Sequence, residues 1–161
     1  MSTTITSPPN YRRILVPTDF SPVSLYALSH ALLLAATFHA PLHILNVVED
    51  PISELELEDT YTLPADFLQH VKKRAEARLA SIFATAEQPA DGIEFAVRQG
   101  SPFVEIVRYA RDQAIDLIVM GTHGRGPIAH MLIGSVAEQV TRKASCPVLV
   151  VRDPSQPFYL P

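Results

Sequence analysis

Short runs of apolar residues alternate along this chain with longer segments in which apolar residues recur every three or four positions. The short runs predict buried strands, and the recurring positions predict helices that turn one face towards a core. The predicted strands cover residues 12–17, 42–48, 93–98, 117–120 and 147–151. The helices predicted between them have their apolar positions within 25–35, 67–86, 103–110 and 132–140.

Two Ser-Pro pairs and one Asp-Gly pair support these boundaries. Ser21-Pro22 and Ser101-Pro102 each combine a favoured N-cap residue with proline at the first helical position. We expect the first helix to end near His39, Pro89 to stop the second helix, and Asp91-Gly92 to turn the chain into the third strand. The alternation of strands and helices predicts right-handed β-α-β units. We therefore predict an α/β fold, with one doubly wound domain, a five-stranded parallel sheet and helices on both faces.

Length and composition are those of one globular domain. The chain has 161 residues, of which 47% are hydrophobic and 19% charged, enough to form one full core. We expect the domain to cover residues 11–152, with a polar N-terminal tail over 1–10 and a proline-rich tail over 153–161. The acidic segment 49–63 has weak periodicity and is predicted to be a long surface connection.

Several classes of protein do not fit this composition. No apolar run approaches the length that spans a membrane, and residues 1–10 lack the apolar centre of a signal peptide. A single cysteine, Cys146, cannot form an internal disulfide, and we expect it to pack as a small hydrophobic residue rather than act as a reactive thiol. These features favour a cytoplasmic protein. The net charge of −4 and the lack of a basic stripe argue against nucleic acid as a partner.

The segment 121–135 carries the strongest functional signal in the chain. It follows the strand-like run 116–120, precedes an amphipathic helix and has the spacing G-x2-G-x9-G-S. A glycine-rich connection between a strand and a helix lets backbone N–H groups surround phosphate. The spacing differs from both the Walker motif and GxGxxG. Ligands on doubly wound sheets bind beyond the carboxyl ends of the strands, where we also expect 17–19 and 47–48.

Three blocks of the sequence resemble the universal stress protein family, in its ATP-binding branch. They are Ile14 to Ser21 (ILVPTDFS), Leu42 to Glu49 (LHILNVVE) and Asp116 to Val151, with its segments GTHGRG, GSVAE and CPVLVV. The resemblance implies the strand order 3-2-1-4-5 and ATP lying across the carboxyl ends of strands one, two and four. It also implies that a divalent cation, Mg²⁺ or Mn²⁺, can bridge the phosphates.

The resemblance implies the binding residues by position. Those expected at the adenosine are Pro17, Thr18, Asp19 and Val47. Those expected at the ribose and phosphates are Met120, Gly121, His123, Gly124, Arg125, Gly134, Ser135 and Val136. A homodimer is also implied, in which Val148 to Val151 pair with the same strand of a second subunit and cover an apolar sheet edge.

Three of these residues also have explanations that need no ligand. Ser135 and Glu138 have the spacing of a capping box, in which each side chain bonds the backbone at the helix start. That role can coexist with phosphate binding, because a cap leaves other N–H groups nearby. Asp19 could favour the dipole of the first helix, and His123 could be a simple loop residue. Within the glycine frame we favour a role for His123 beside the phosphates.

Three functions follow from the resemblance and the site residues. The first is an ATP-binding, dimeric regulatory protein of the stress response, read out by an unknown downstream protein. The second is a slow ATPase or phosphotransferase, for which His123 and Arg125 are candidates but no general base is evident. The third is a nucleotide-free dimeric interaction module. We favour the first and assign neither a catalytic residue nor a metal site.

Overall fold

Five parallel strands form one sheet in the order β3-β2-β1-β4-β5 in the computed structural model, which describes residues 9–49, 66–84, 91–122, 134–152 and 154. The elements are β1 (Ile14–Pro17), α1 (Pro22–Phe38), β2 (Leu42–Val48), α2 (Phe67–Phe83), β3 (Ile93–Gln99), α3 (Pro102–Asp112), β4 (Leu117–Gly121), α4 (Ser135–Lys143) and β5 (Val148–Val151). This architecture confirms the predicted doubly wound α/β fold and the implied strand order.

Two helices cover each face of the sheet. Side chains alternate along each strand, so Ile14 and Val16 of β1 face the core formed with α1 and α2, whereas Leu15 faces α3 and α4. β4 divides in the same way, with Val119 on the first face and Met120 on the second. The strands nearest the centre are buried on both faces, as their continuous apolar sequences predicted.

Several boundaries differ from the predicted ones. β1 begins at Ile14 because the backbone N–H groups of Arg12 and Arg13 donate to the two carboxylate oxygens of Asp116, at 2.8 and 3.0 Å, instead of joining the strand ladder. The N-cap prediction is confirmed for α1, where Ser21 accepts from the backbone N–H of Ser24. Ser101 occupies the N-cap position of α3, but its side chain makes no capping bond.

Other predicted features lie outside the described residues. They are the N-terminal tail up to residue 8, residues 50–63 of the acidic connection, Ala86 and Pro89 beyond α2, and residues 153 and 155–161 of the C-terminal tail. Within the part of the chain that is described, no helix is both long enough and apolar enough to cross a membrane.

Cys146 lies at the margin of the second core. Its half-buried side chain packs beside the cluster formed with α3 and α4. Burial raises the pKa of the thiol, and the nearby negative charge of Asp116 acts in the same direction. The thiol therefore stays protonated at neutral pH, as a packing role requires.

Gly121 lets α1 pack closely against the end of β4. A Cβ atom at this position would lie 2.7 Å from Cγ1 of Val23 and 3.2 Å from the backbone carbonyl carbon and oxygen of the same residue. A valine side chain is stiff at χ1 and the backbone of α1 is fixed by packing, so neither can easily move away. The absence of a side chain at 121 is therefore required by the fold itself.

We predict that Gly121→Ala destabilises the protein by about 1–3 kcal/mol, because the added methyl group overpacks the contact with Val23. Urea unfolding measures the change. Val23→Ala in the same chain removes the side-chain part of the clash, so the double variant should lose less stability than the sum of the two single variants. A Gly121→Ala protein as stable as the wild type would contradict this account of the packing.

A buried histidine lies between β2 and α3. His43 is 4% exposed, and its Nδ1 lies 3.1 Å from the hydroxyl oxygen of Tyr109. Burial lowers the pKa of His43 below its ordinary value of 6.5; the carboxylate of Glu94 opposes this shift, and the charge of Arg13 adds to it. The folded state therefore favours the neutral imidazole.

This lowered pKa predicts a loss of stability in mild acid. Below about pH 6.5 the unfolded chain binds a proton at His43 that the folded chain binds less readily, so the free energy of unfolding falls with pH. One such proton contributes a slope of at most about 1.4 kcal/mol per pH unit. Urea unfolding between pH 7 and 5 should show a shallower slope for His43→Gln than for the wild type. Replacing the exposed His70 by Gln is the control, and an unchanged slope in His43→Gln would refute the assignment.

Candidate functional site

A cavity of about 700 Å³ lies at the carboxyl ends of β1, β2 and β4. It sits where the strand order reverses, between the neighbouring strands β1 and β4. Nine of the twelve residues predicted for the binding site line it: Pro17, Thr18, Asp19, Val47, Met120, Gly121, Gly134, Ser135 and Val136. The other three, His123, Gly124 and Arg125, lie outside the described residues.

Thr18 holds the turn between β1 and α1 in place. Its backbone N–H donates to the carbonyl of Leu45 at 2.8 Å, and its own carbonyl accepts from the side-chain amide of Asn46 at 2.8 Å. The Thr18 hydroxyl accepts from the backbone N–H of Phe20 at 3.0 Å and lies 3.1 Å from the hydroxyl of Ser24. These contacts join β1, β2 and α1, so Thr18 shapes the cavity wall with polar atoms already engaged in the turn.

Asp19 presents a half-buried carboxylate at the same turn. One of its oxygens accepts from the backbone N–H of Ser21 at 2.9 Å. Burial acts to raise the pKa of Asp19, but hydrogen bonds from Ser21 and Ser24 outweigh it and hold the pKa below its ordinary value. Asp19 is therefore ionised at neutral pH. The bond to Ser21 agrees with the predicted role at the start of α1, and the position on the cavity wall agrees with the predicted role in binding.

The N-terminus of α4 borders the cavity from the face of the sheet opposite to α1. Gly134 is the N-cap, with φ −69° and ψ 156°, and its backbone N–H donates to the carbonyl of Thr122 at 2.7 Å. The backbone N–H of Thr122 in turn donates to the carbonyl of Val151 at 2.9 Å, which ties the end of β5 to the start of α4. The N–H groups of Ser135, Val136 and Ala137 have no partner within the helix and carry the positive end of its dipole, a combination that favours an anion.

The predicted capping box at Ser135 is wrong. Gly134, and not Ser135, occupies the N-cap position, and no side chain caps this helix start. Ser135 is the first helical residue and is exposed, while Glu138 pairs with Arg142 one turn further along, at 3.5 Å. Leu132 and Ile133, which we assigned to the helix, lie outside the described residues and precede the N-cap. The hydroxyl of Ser135 is therefore not engaged in capping its own helix.

Apolar side chains form another part of the cavity lining. Leu45 and Val47 come from β2, Ile106 from α3 and Met120 from β4. A largely apolar lining with a small number of placed polar groups is typical of pockets that bind small organic molecules.

Sequence reasoning missed the contribution of α2. Arg74 and Arg78 line the cavity beside Val71 and Ala75, on the helix that packs over β2 and β3. Arg78 also donates to the carbonyl of Phe20, a residue with a left-handed φ of 62°. Arg74 and Arg78 are four residues apart, so the sequence places both on one side of α2, next to its apolar face. Periodicity does not show whether that side of the helix lies near the carboxyl or the amino ends of the strands.

No protein-derived metal site is evident in the described part of the chain. Its His, Cys, Asp and Glu side chains form no group of three that could hold a metal ion. The carboxylates that line the cavity there are Asp19 and Glu49.

Comparisons with known proteins agree with this architecture. A model of the universal stress protein family matches residues 10–152. Universal stress protein MJ0531 of Methanocaldococcus jannaschii is 38% identical over 147 residues, which cover 91% of this chain and 85% of the relative.

Solved structures of related proteins have the same fold. Universal stress protein UspA from Lactobacillus plantarum superposes with a TM-score of 0.72 at 29% identity, over 90% of this chain and all of the other. A universal stress protein solved in complex with cAMP gives a TM-score of 0.61 at 29% identity, over 89% and 98% of the two chains. The matched family, the strand order and the extent of the alignment lead to one conclusion: this chain belongs to the universal stress protein family.

Proposed function

We propose that this chain binds ATP in the cavity and acts in the cytoplasm as a dimeric regulatory protein of the stress response. The observation that carries the proposal is the convergence of nine expected binding residues on one cavity, into which the N-terminus of α4 opens. Binding of ATP to the folded state alone would stabilise that state by mass action. A downstream protein would then read out the bound form.

The cavity offers a separate surface for each part of the nucleotide. The base fits against the apolar side chains, close to Val47 at the end of β2. The phosphates fit at the start of α4, where the N–H groups of residues 135–137 supply donors and the helix dipole favours negative charge. By the family resemblance, His123, Gly124 and Arg125 follow the phosphates. The volume of about 700 Å³ is within the usual range for pockets that hold small molecules.

A related structure supports a nucleotide as the ligand. The universal stress protein solved with cAMP is 29% identical to this chain and matches 89% of it. An adenine nucleotide is therefore a ligand that a protein of this family and fold accommodates. Our choice of ATP rests on the resemblance of the glycine-rich segment to the ATP-binding branch.

A divalent cation, if present, is proposed to be held by the phosphates. Mg²⁺ retains several waters and needs few carboxylates when phosphate oxygens coordinate it. Asp19, an ionised carboxylate on the cavity wall, is a group that such a hydrated cation could reach through water.

The dimer is proposed to form along β5. This strand lies at one edge of the sheet, and its residues Val148 to Val151 are all apolar. An apolar edge strand offers unpaired N–H and C=O groups to another strand, and pairing with a second copy would cover it symmetrically. Because Thr122 links β5 to the start of α4, the proposed interface lies next to the proposed phosphate site.

We predict that Gly134→Val abolishes ATP binding, because its side chain would fill the volume where the phosphates approach the start of α4. The backbone of Gly134 has φ −69°, which valine also adopts, so the substitution tests space rather than strain. Isothermal titration calorimetry measures the affinity. Ser135→Ala, which keeps the backbone N–H groups, is the matched control and should lose much less. A folded Gly134→Val protein with unchanged ATP affinity would refute the proposed site.

We predict that Leu149→Glu converts the dimer to a monomer, since charges facing each other across a β5 pair would repel in a poorly solvated interface. Leu149 is 40% exposed. Sedimentation velocity gives the oligomeric state. Leu33→Glu is the control, because Leu33 is 66% exposed and belongs to helix α1 rather than to the edge strand. A Leu149→Glu protein that stays dimeric would place the interface elsewhere.

A further inference from the structure

Two arginines of α2 line the cavity from the side opposite to the start of α4. Arg74 and Arg78 lie one helical turn apart, on the same side of the helix as Val71 and Ala75. α2 packs on the face of the sheet that carries α1, whereas α4 packs on the other face. The arginine wall, formed by Arg74 and Arg78, is therefore separated from the proposed phosphate site by the carboxyl ends of the strands.

Arg78 is held in a defined orientation. Its Nη2 donates to the carbonyl oxygen of Phe20 at 3.2 Å, and its guanidinium carbon lies 4.9 Å from the centre of the Phe20 ring. A guanidinium has five N–H donors, so one bond to a carbonyl leaves most of them for a ligand. The turn between β1 and α1 thus fixes one of the two positive charges before any ligand arrives.

No carboxylate of the described residues lies within 4.0 Å of a nitrogen atom of the arginine wall, although Asp19 and Glu49 line the same cavity. Within that part of the chain, every ion pair of up to 4.0 Å involves other side chains. The neighbouring Lys72 behaves differently, because its ammonium group lies 3.8 Å from the carboxylate of Glu76 on the same helix. Two guanidinium groups that have no carboxylate of the described residues within 4.0 Å, in a cavity, form a surface suited to phosphate. A guanidinium binds phosphate through two parallel hydrogen bonds.

We propose that the arginine wall binds a second phosphate group of the nucleotide, carried on the ribose 2′- or 3′-hydroxyl. The inference rests on the proposed function, which places the 5′-phosphates at the start of α4. A phosphate at α2 that belongs to the same nucleotide is then attached elsewhere on the nucleoside, and the ribose hydroxyls are the positions that carry such a phosphate. The ligand class of the cavity therefore extends from ATP to adenosine bisphosphates.

The test compares ligands that differ by one phosphate. Isothermal titration calorimetry of the wild-type protein with AMP, adenosine 2′,5′-bisphosphate and adenosine 3′,5′-bisphosphate should show at least one bisphosphate binding about tenfold more tightly than AMP. Arg74→Gln should remove this advantage, lowering the affinity for the preferred bisphosphate by about tenfold more than the affinity for AMP. Lys73→Gln, which removes a positive charge from the same helix outside the cavity lining, should retain it. Arg74 is the better test residue, because replacing Arg78 also removes a contact with Phe20.

Three outcomes would overturn the inference. They are equal affinity of the wild type for AMP and both bisphosphates, an advantage that persists in Arg74→Gln, and an equal loss of AMP and bisphosphate affinity in that variant. The inference would also be overturned if added inorganic phosphate increased the affinity for AMP to that measured for the preferred bisphosphate. The second anion would then be a separate molecule and not part of the nucleotide. If the wild-type protein binds ATP but prefers neither bisphosphate to AMP, this inference is wrong and the proposed function stands. If it binds neither ATP nor AMP, the proposed function itself is wrong.

Discussion

The crossover from β3 to β4 determines where this protein can hold a ligand. The chain leaves β3 at one edge of the sheet, passes β2 and β1, and enters β4 on the far side of β1. The connection from β1 to β2 runs towards one edge of the sheet, and the connection from β4 to β5 runs towards the other. Because parallel crossovers are right-handed, the helices of these connections, α1 and α4, lie on opposite faces of the sheet. The connections that follow β1 and β4 therefore diverge, and the cavity lies between them.

Packing and hydrogen bonding at this divergence serve the fold and the cavity together. The contact between Gly121 and Val23 sets α1 against the end of β4, and the bonds of Thr18 fix the turn that carries Asp19. On the other side, Thr122 joins β5 to the N-cap of α4 through its own backbone. These two walls of the cavity are thus built from strand ends that are already held in place, which is the preorganisation that a binding site needs.

The sequence was a good guide to the elements and a weaker guide to their arrangement. Apolar runs identified all five strands, but periodicity carries no information about which strands are neighbours, and the order came from the family resemblance. The N-cap of α4 was assigned to Ser135 because Ser135 and Glu138 have the spacing of a capping box. The N-cap is Gly134, so neither side chain caps the helix. The arginines of α2 were missed because their position depends on how that helix packs. Gly121 was expected to serve ligand approach, yet its contact with Val23 explains it without a ligand.

The central claim is that the cavity at the reversal in strand order binds ATP, and the most direct test is to identify what the purified protein carries. Protein prepared without added nucleotide would be denatured and filtered, and the released small molecules separated by ion-exchange chromatography. The account predicts adenine nucleotide, with ATP approaching one equivalent per chain. A protein that releases no nucleotide, and whose melting temperature does not change when ATP and Mg²⁺ are added, would contradict it.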